Sequence, residues 1–250
     1  MPFTVSAVSD EKELAEIYRL RYKVYCLEWG FEKPEKHPNG LETDEYDKYA
    51  VHFAVRDDSQ KIVGSVRLIL NPPEGFPLER YCHIDIDRGK IPRKNIAEIS
   101  RLVISRDYRK RSEDKYIYGP DEERRSIGTF ETYNRGYHRR TEDRFRYRQP
   151  GAFRLKNGAL NDRRSRHELV TCLYKAVYHE SKRRELTHWY AVMTKGLVIL
   201  LKKFGIKFQA LGDPVDFHGI RTPYIGDIRK IEEEVMNEHP ETYEEFTKDL

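Results

Sequence analysis

Three apolar runs of strand-like composition constrain the fold of this chain more than any other feature of its sequence. The first two are YAVHFAVRD at 49–57 and KIVGSVRLIL at 61–70, and the turn-forming sequence DDSQ at 57–60 lies where they meet. The third is IAEISRLVIS at 96–105. The chain is therefore expected to build a sheet that contains an antiparallel hairpin and a third strand.

Helical patterns lie on both sides of these strands. Asp10, with Glu13 three residues later, has the spacing of a capping box, and apolar residues then recur at helical spacing to about residue 28. The later part of the chain predicts helices at 166–186, 195–205 and 227–239 and strands at 187–194, 206–214 and 222–228. Hairpin strands followed by a strand–helix crossover predict an α/β fold, with a mixed central sheet flanked by helices on both faces.

The middle of the chain differs in composition from both ends. Residues 106–166 contain 18 lysines and arginines against 10 aspartates and glutamates, whereas the whole chain of 250 residues has a formal net charge of only +4. The same stretch has few aliphatic residues, which is typical of an arm or an insertion rather than of a core element. We therefore predict a single domain over residues 1–250 with a long basic insertion at about 106–166.

Several classes of protein are not favoured by the sequence. The three cysteines, Cys26, Cys82 and Cys172, are far apart and form no CxxC pair, so we expect core thiols rather than a disulfide framework or a zinc site. The N-terminus lacks the pattern of a signal peptide, and the longest apolar run, at 197–201, is too short to span a bilayer. We therefore expect a cytoplasmic protein with no metal and no permanently bound cofactor.

Charged residues interrupt two of the predicted strands. Arg67 stands between apolar neighbours in GSVRLIL, and Glu98 and Arg101 lie within IAEISRLVIS. A charged side chain inside a sheet is costly unless it is paired. On a regular strand Glu98 and Ser100 share one face and Arg101 points away from it.

An acidic loop precedes the first strand. Glu42, Asp44 and Asp47 stand two and three residues apart in GLETDEYDKYA at 40–50. Such a charge run is either a solvated loop or a set of partners for the strand arginines, and it lacks the DxDxDG framework of a calcium-binding loop. The combination predicts an ion-pair lattice, which can be purely structural or can orient an amine and a carboxylate.

An aromatic stripe follows a cation at the end of the first predicted helix. In RYKVYCLEWGFEKP, Tyr25 and Trp29 come four and eight residues after Arg21. The aromatic residues either pack on the core, with Arg21 stabilising the C-terminus of the helix, or form one wall of a substrate site.

Four blocks of sequence, taken together, resemble a known family. They are RYKVYCLEWGF at 21–31, GLETDEYDKYAVHFAV at 40–55, IVGSVRL at 62–68 and AEISRLVIS at 97–105. They resemble the autoinducer-synthase-like branch of the GNAT acyltransferase fold, which contains acyl-homoserine lactone synthases and N-acyl amino acid synthases. Within that branch, the PEP-CTERM/exosortase system-associated acyltransferases are the most similar group, and the segment 200–225 also looks like theirs.

The resemblance implies where substrates bind. By position, the family's site residues fall on Glu98, which is the candidate base that deprotonates an amine directly or through water, and on the substrate-binding residues Arg21, Tyr25, Trp29, Asp44, Asp47, Arg67 and Arg101. It implies that Arg21 and the aromatic residues form a mobile lid. The implied reaction moves a fatty acyl group from an acyl-carrier-protein thioester to the amine of an amino acid or similar small molecule, with no covalent enzyme intermediate.

One loop departs from the wider GNAT pattern. The glycine-containing loop that holds the pyrophosphate of coenzyme A is replaced by RDYRKRSED at 106–114, which has no glycine. This favours a carrier-protein thioester over coenzyme A. The arginines of the insertion either dock such an acidic carrier or form a solvated segment without a partner.

Other functions remain open from the sequence. Within the same family, an acyl-homoserine lactone synthase would use S-adenosylmethionine as the acceptor. Two alternatives come from other classes of function. The protein is a catalytically inactive member of the fold, or the Arg-rich insertion with its interleaved aromatic residues binds RNA or phosphates. The 10 acidic residues of the insertion argue against nucleic acid. We expect His218 to be a turn residue and Leu197, Val198 and Leu201 to line an apolar tunnel for the acyl chain.

Overall fold

A mixed sheet occupies the centre of the molecule. The structure is a computed structural model and describes residues 3–84, 91–109, 158–248 and 250. The strands of this part of the chain are β1 (Thr4–Val8), β2 (Ala50–Arg56), β3 (Ile62–Leu70), β4 (Ile96–Ile104), β5 (His188–Met193), β6 (Gln209–Ala210), β7 (Val215–Asp216) and β8 (Ile220–Asp227). The α-helices are α1 (Glu11–Arg21), α2 (Pro77–Tyr81), α3 (Gly158–Arg183), α4 (Lys195–Lys202), α5 (Ile228–Glu238) and α6 (Pro240–Thr247).

The strands follow the order β1-β2-β3-β4-β5-β8-β6, and β7 pairs with β8. The predicted hairpin is confirmed, because β2 and β3 are antiparallel and place His52 opposite Arg67. β4 and β5 are parallel, and the other neighbouring pairs are antiparallel. The edge strand β1 and the final helix α6 were not predicted. The expected α/β fold with a mixed sheet is confirmed.

Helices cover both faces of this sheet because the side chains of its strands alternate. Phe53 and Val55 of β2 pack in the largest core together with Leu173 of α3. Ala54, which lies between them, packs on the opposite face against Ile17 of α1. The sheet therefore has a buried layer on each side.

The parallel pair β4 and β5 separates part of the way along. Their register runs from Ile96 opposite His188 to Ile99 opposite Ala191, whereas β4 continues to Ile104. Beyond Ile99 the edge of β4 that faces β5 is therefore open. This opening is the cleft of the candidate site described below.

A β-bulge in β4 contradicts the expected direction of Arg101. The register between β3 and β4 shifts between Ser65, which lies opposite Val103, and Arg67, which lies opposite Ser100. Arg101 itself has a φ of +51°. The extra residue breaks the period of two, so Arg101 lines the same cavity as Glu98 rather than pointing away from it.

The first helix changes its winding at Arg21. α1 ends there, and a π-helical segment, Tyr22–Glu28, continues it in place of the α-helix expected to residue 28. The amide of Trp29 accordingly donates to the carbonyl of Val24, five residues back, at 3.1 Å. Because the wider turn breaks the spacing of 3.6 residues, Leu27 is 61% exposed rather than buried.

The C-terminal part of the predicted insertion is helical. α3 begins at Gly158, whereas the sequence placed the start of this helix after the insertion ended at 166. Residues 110–157 of the predicted insertion lie outside the described residues. The limits of the insertion and the single-domain assignment remain predictions.

Two further predictions can be compared with the described residues. Cys26 and Cys82 are buried, Cys172 is partly buried, and all three are free thiols. In the described part of the chain, no helix has the length and apolar character needed to cross a membrane.

Candidate active site

A polar cavity of about 330 Å³ lies over the central strands. Its walls come from the acidic loop before β2, from β3 and β4, from α2 and from the turn between β7 and β8. A cavity of this size is at the lower end of the range that small-molecule ligands occupy. Among the predicted site residues, it is lined by Tyr25, Asp44, Arg67, Glu98 and Arg101.

Arg21 anchors the acidic loop beneath this cavity. Its Nε donates to Oε2 of Glu42 at 2.5 Å, and its two terminal nitrogens donate to Asp47 at 2.7 and 3.2 Å. Arg21 and Glu42 are both only 1% exposed. The helix α1 ends at Arg21, so its guanidinium joins the first helix to the loop as a buried anchor.

Arg67 and Arg101 complete the lattice from the strands. Arg67 Nη1 donates to Asp44 at 2.6 Å and to Asp47 at 2.7 Å. Arg101 donates to Glu42 at 3.0 Å and to Asp44 at 2.9 Å. Three guanidinium groups thus bond to three carboxylates, and we refer to Arg21, Arg67, Arg101, Glu42, Asp44 and Asp47 as the ion-pair lattice.

The lattice keeps its carboxylates ionised. Burial alone would raise the pKa of Glu42, but the charges of Arg101 and Arg21 outweigh it and lower this pKa to about 2. The pKa values of Asp44 and Asp47 are also lowered, because the neighbouring arginines outweigh the effect of burial. These carboxylates are therefore permanent charges near neutral pH, and they are not suited to accept a proton.

Glu98 has the opposite behaviour. Its side chain is 2% exposed and accepts a hydrogen bond from the backbone amide of Leu78, at the start of α2, at 2.9 Å. Burial raises the pKa of Glu98 to about 8, although the Leu78 hydrogen bond and the charge of Arg67 act against this rise. A carboxyl group with such a pKa, lining a polar cavity, can exchange a proton near neutral pH.

A second, smaller cavity of about 50 Å³ lies where β4 and β5 separate. Its lining includes Ala191, Thr194 and Leu197, which come from β5 and the start of α4. The two cavities share six lining residues, which are Tyr25, Ile99, Ser100, Arg101, Val192 and Arg221. The polar cavity and the cleft between the strands therefore meet at the bulge of β4.

Tyr25 and Trp29 form the aromatic side of this junction. Tyr25 is buried, its hydroxyl donates to the carbonyl of Leu102 at 3.3 Å, and the Arg101 guanidinium lies 5.5 Å from the centre of its ring. Trp29 lines only the second cavity of the two, and the guanidinium of Arg109 lies 4.6 Å from the centre of its ring. Tyr25 belongs to a core cluster, as the first interpretation of the aromatic stripe expects, and it also lines the cavity. Its contact with a substrate stays a prediction.

The structure brings the eight predicted site residues close together, but they lie at different depths below the surface of the cavity. Five line the polar cavity, Trp29 lines the adjoining cleft, and Arg21 and Asp47 lie beneath as lattice members. Arg21, which the resemblance assigned to a mobile lid, is buried and bonded to two carboxylates. Leu197, Val198 and Leu201 all pack in the main core, and Leu197 also lines the cleft. The acyl tunnel stays a prediction.

Sequence reasoning did not single out two residues of this junction. Ser100 accepts a hydrogen bond from Arg67 Nε at 3.0 Å, and its alternation with Glu98 along the strand was the available signal. Arg221 lies in the segment 200–225, which was part of the resemblance, but the resemblance placed no site residue there. His218 lies in a turn, as predicted, and burial lowers its pKa to about 4.

The sequence matches a known domain family. Residues 20–118 match the acetyltransferase (GNAT) domain. This range contains all eight predicted site residues. No curated protein matches the sequence at a significant level.

Solved structures with a similar fold include several synthases. The CoA-dependent acyl-homoserine lactone synthase BjaI, solved with SAM and isopentyl-CoA, is 20% identical, with a TM-score of 0.55 over 96% of this chain and 89% of that chain. TofI, solved with an inhibitor and MTA, is 16% identical, with a TM-score of 0.55 over 91% of this chain and 92% of that one. FeeM, an N-acyl amino acid synthase, is 9% identical, with a TM-score of 0.50 over 94% and 96% of the two chains.

At these identities the structural matches establish the fold, and the domain match is independent of them. The resemblance to GNAT synthases and the α/β fold class predicted from the sequence are confirmed, and the closer resemblance to the exosortase-associated group stays a prediction. Residues 20–118 of this chain thus match a GNAT acetyltransferase domain, and the described residues have the GNAT fold.

Proposed function

We propose that this enzyme moves an acyl group from a thioester to the amine of an amino acid or similar small molecule. The observation that carries the proposal is the position of Glu98. This carboxyl group, with its raised pKa, lines a polar cavity that meets a partly apolar cleft at the bulge of β4. A polar acceptor and an acyl donor can thus approach one another from the two sides.

The acceptor amine enters the polar cavity. An amine attacks a thioester only when it is neutral, so a nearby base must take its proton. Glu98 is the base, directly or through one water molecule. The ion-pair lattice places fixed charges around Glu98. The three arginines and three carboxylates of the lattice balance in charge, so they orient the acceptor without a large net electric field.

The acyl donor lies in the cleft between β4 and β5. The open edge of β4 beyond Ile99 offers backbone N–H groups to the oxyanion that forms when the amine attacks the thioester carbonyl. A C–N bond then forms, the C–S bond breaks, and the thiol leaves with a proton. The acyl chain extends towards Leu197 at the start of α4.

Acyl carrier protein is the donor that we propose. The segment after β4, with a helical turn at Arg106–Tyr108, contains no glycine of the kind that lets a backbone approach the pyrophosphate of coenzyme A. The excess of basic residues at 106–166 would attract an acidic carrier. BjaI is a CoA-dependent enzyme, so coenzyme A is the alternative donor.

A thiol-release assay tests the proposal. The purified chain is mixed with decanoyl-CoA or decanoyl-acyl carrier protein and with each of the common amino acids or S-adenosylmethionine, and free thiol and product mass are measured. We expect acceptor-dependent thiol release and an N-acyl product, both lost in Glu98→Gln. Thiol release that does not depend on an amine would contradict the proposal, and a lactone product from S-adenosylmethionine would assign the chain to autoinducer synthesis instead.

A further inference from the structure

The cleft between β4 and β5 is much smaller than a long acyl chain. Its volume is about 50 Å³, whereas pockets for small-molecule ligands usually measure about 300–1,000 Å³. A space of this size has room for only a few water molecules. A long acyl chain can therefore enter the cleft only if part of its wall moves.

Trp29 is the part of this wall that can move most readily. Its side chain is only partly buried, whereas Tyr174, Ala191 and Leu197, which also line the cleft, are buried in the main core. Gly30 follows Trp29 with a φ of +65°, and a side chain at Gly30 would meet no atom of the described residues within 4 Å. Within the described part of the chain, open space therefore adjoins Trp29, and its ring moves at a lower cost than a side chain of the core.

Arg109 holds this ring in place. Its guanidinium lies 4.6 Å from the centre of the Trp29 ring. The same group donates through Nε to the carbonyl of Ile104, the last residue of β4, at 2.5 Å, and through Nη2 to a carboxylate oxygen of Glu28. The Arg109 side chain is only 7% exposed. One buried cation thus joins the end of β4, the end of the π-helical segment and the aromatic wall of the cleft.

We propose that Arg109 is a positioning residue that holds Trp29 over the cleft and thereby limits the length of the acyl chain that the enzyme transfers. This inference rests on the proposed function and deepens it, because it concerns which acyl thioesters serve as donors. A short acyl group leaves the contact between Arg109 and Trp29 intact, whereas a longer chain has to displace the ring. The contact therefore opposes long chains by its own free energy and leaves short chains unaffected.

A series of thioesters tests this role. Butanoyl, hexanoyl, decanoyl and tetradecanoyl thioesters of the carrier that the unaltered enzyme uses faster are compared, with the acceptor that gives the fastest thiol release. We expect kcat/KM of the unaltered enzyme to fall from butanoyl to tetradecanoyl. Arg109→Gln should raise the ratio of kcat/KM for tetradecanoyl to that for butanoyl by about 2- to 30-fold, which corresponds to the loss of one cation–π contact. Arg109→Lys should give an intermediate ratio, because an ammonium group keeps the charge without the planar fork of a guanidinium.

Two further variants separate this role from folding and from overall charge. Glu28→Gln weakens the hold on Arg109 without changing β4, and it should raise the ratio in the same direction. Arg106→Gln is the matched control, because it removes an exposed positive charge from the same segment. It should leave the ratio unchanged.

Tryptophan fluorescence examines the contact without any substrate. The chain has two tryptophans, and Trp189 is only 2% exposed, so quenching by acrylamide reports chiefly on Trp29. We expect stronger quenching in Arg109→Gln than in the unaltered protein or in Arg106→Gln.

Several results would overturn the role of Arg109 and leave acyl transfer standing. They are an unchanged ratio in both Arg109→Gln and Glu28→Gln, an equal change at every chain length, unaltered quenching in Arg109→Gln, and a preference of the unaltered enzyme for the longest chain. Absence of thiol release with every thioester and acceptor would refute the proposed function, and this inference with it.

Discussion

Two buried glutamates of the site differ in protonation, and the difference comes from their partners. Glu42 accepts hydrogen bonds from Arg21 and Arg101, and its pKa is lowered to about 2. Glu98 is as deeply buried, but it accepts a hydrogen bond from the amide of Leu78, and its pKa is raised to about 8. Environments that separate the pKa values of two carboxyl groups in this way distinguish a fixed charge from a proton acceptor.

The pH dependence of the reaction should follow Glu98. The ionised fraction of its carboxyl group increases as the pH rises through about 8, so we expect kcat/KM to rise over this range. Glu98→Gln should lower kcat/KM by about 10²- to 10⁴-fold, the usual contribution of a general base. It should leave only the part of the pH profile that the acceptor amine itself produces, which rate measurements between pH 6 and 10 would show.

Stability measurements check that Glu98→Gln acts on catalysis. A glutamate whose pKa is raised on folding stabilises the folded state below its ordinary pKa, and this contribution is lost as the pH rises towards the raised value. The glutamine variant should therefore have a higher Tm than the unaltered protein at pH 8, with a difference that shrinks as the pH is lowered towards 4.5. A variant that is less stable at pH 8 would show that Glu98 has a structural role instead.

Among the elements, β4 has the largest influence on the site. Its parallel pairing with β5 ends at Ile99, and its bulge against β3 comes two residues later, at Arg101. The bulge turns the Arg101 side chain towards Glu42 and Asp44. A regular strand would place Arg101 on the other face, where the lattice could not form.

Two variants separate the effect of the Arg101 backbone conformation on stability from the effect of its charge. Both Arg101→Ala and Arg101→Gly remove the guanidinium, but only glycine adopts a φ of +51° without strain. We expect the alanine variant to be less stable than the glycine variant by about 1–2 kcal/mol, the cost of a left-handed conformation. Urea unfolding of the two variants would measure this difference, and equal stabilities would show that the bulge relaxes when the arginine is lost.

At the scale of the whole molecule, the ion-pair lattice connects segments that are distant in sequence. Arg21 ends the first helix, Glu42, Asp44 and Asp47 belong to the acidic loop, and Arg67 and Arg101 belong to adjacent strands of the sheet. The lattice thus holds one wall of the polar cavity on the sheet. Removal of one member leaves its partners as uncompensated buried charges.

Asp47→Asn should therefore destabilise the molecule strongly. Asp47 accepts hydrogen bonds from Arg21 and Arg67 and from the amide of Asp44, so we expect a loss of about 3–5 kcal/mol in the free energy of unfolding at pH 7. Asp213→Asn, on an exposed residue of another loop, is the control and should change stability by less than about 0.5 kcal/mol.

Asp47→Asn should also change how the free energy of unfolding decreases at acidic pH, which we call the acid limb. Carboxylates with a lowered pKa contribute stability above their ordinary pKa, and this contribution is lost as the pH falls towards the lowered value, which is about 2 for Glu42. The unaltered protein should lose stability as the pH falls from about 4.5 towards 2, and Asp47→Asn should lose less over this range. Urea unfolding at several pH values measures both effects, and identical acid limbs would mean that Asp47 does not titrate as a member of the lattice.

Local sequence patterns predicted the parts of the site that depend on neighbours along the chain. The hairpin of β2 and β3 followed from two apolar runs and a turn, and the burial of Arg67 followed from its apolar neighbours. The sequence did not predict the π-helical segment after Arg21 or the exposure of Leu27. The apolar residues recur at the same spacing in the sequence whether the segment is wound as an α-helix or as a π-helix. Arg221 was missed because its proximity to Tyr25 exists only after β8 pairs with β5.

The sequence by itself determined the central strands, the main helices, the acidic loop and the identity of the charged residues that meet at the site. Only the tertiary structure decided that Arg101 joins Glu98 at one cavity, that Arg21 lies beneath it and that Arg221 closes the junction. The physical reason is one of range. Backbone preferences and apolar spacing act between residues that are close in sequence. Burial and charge pairing depend on groups that meet only in the folded chain, and they are what make the pKa of Glu98 differ from that of Glu42.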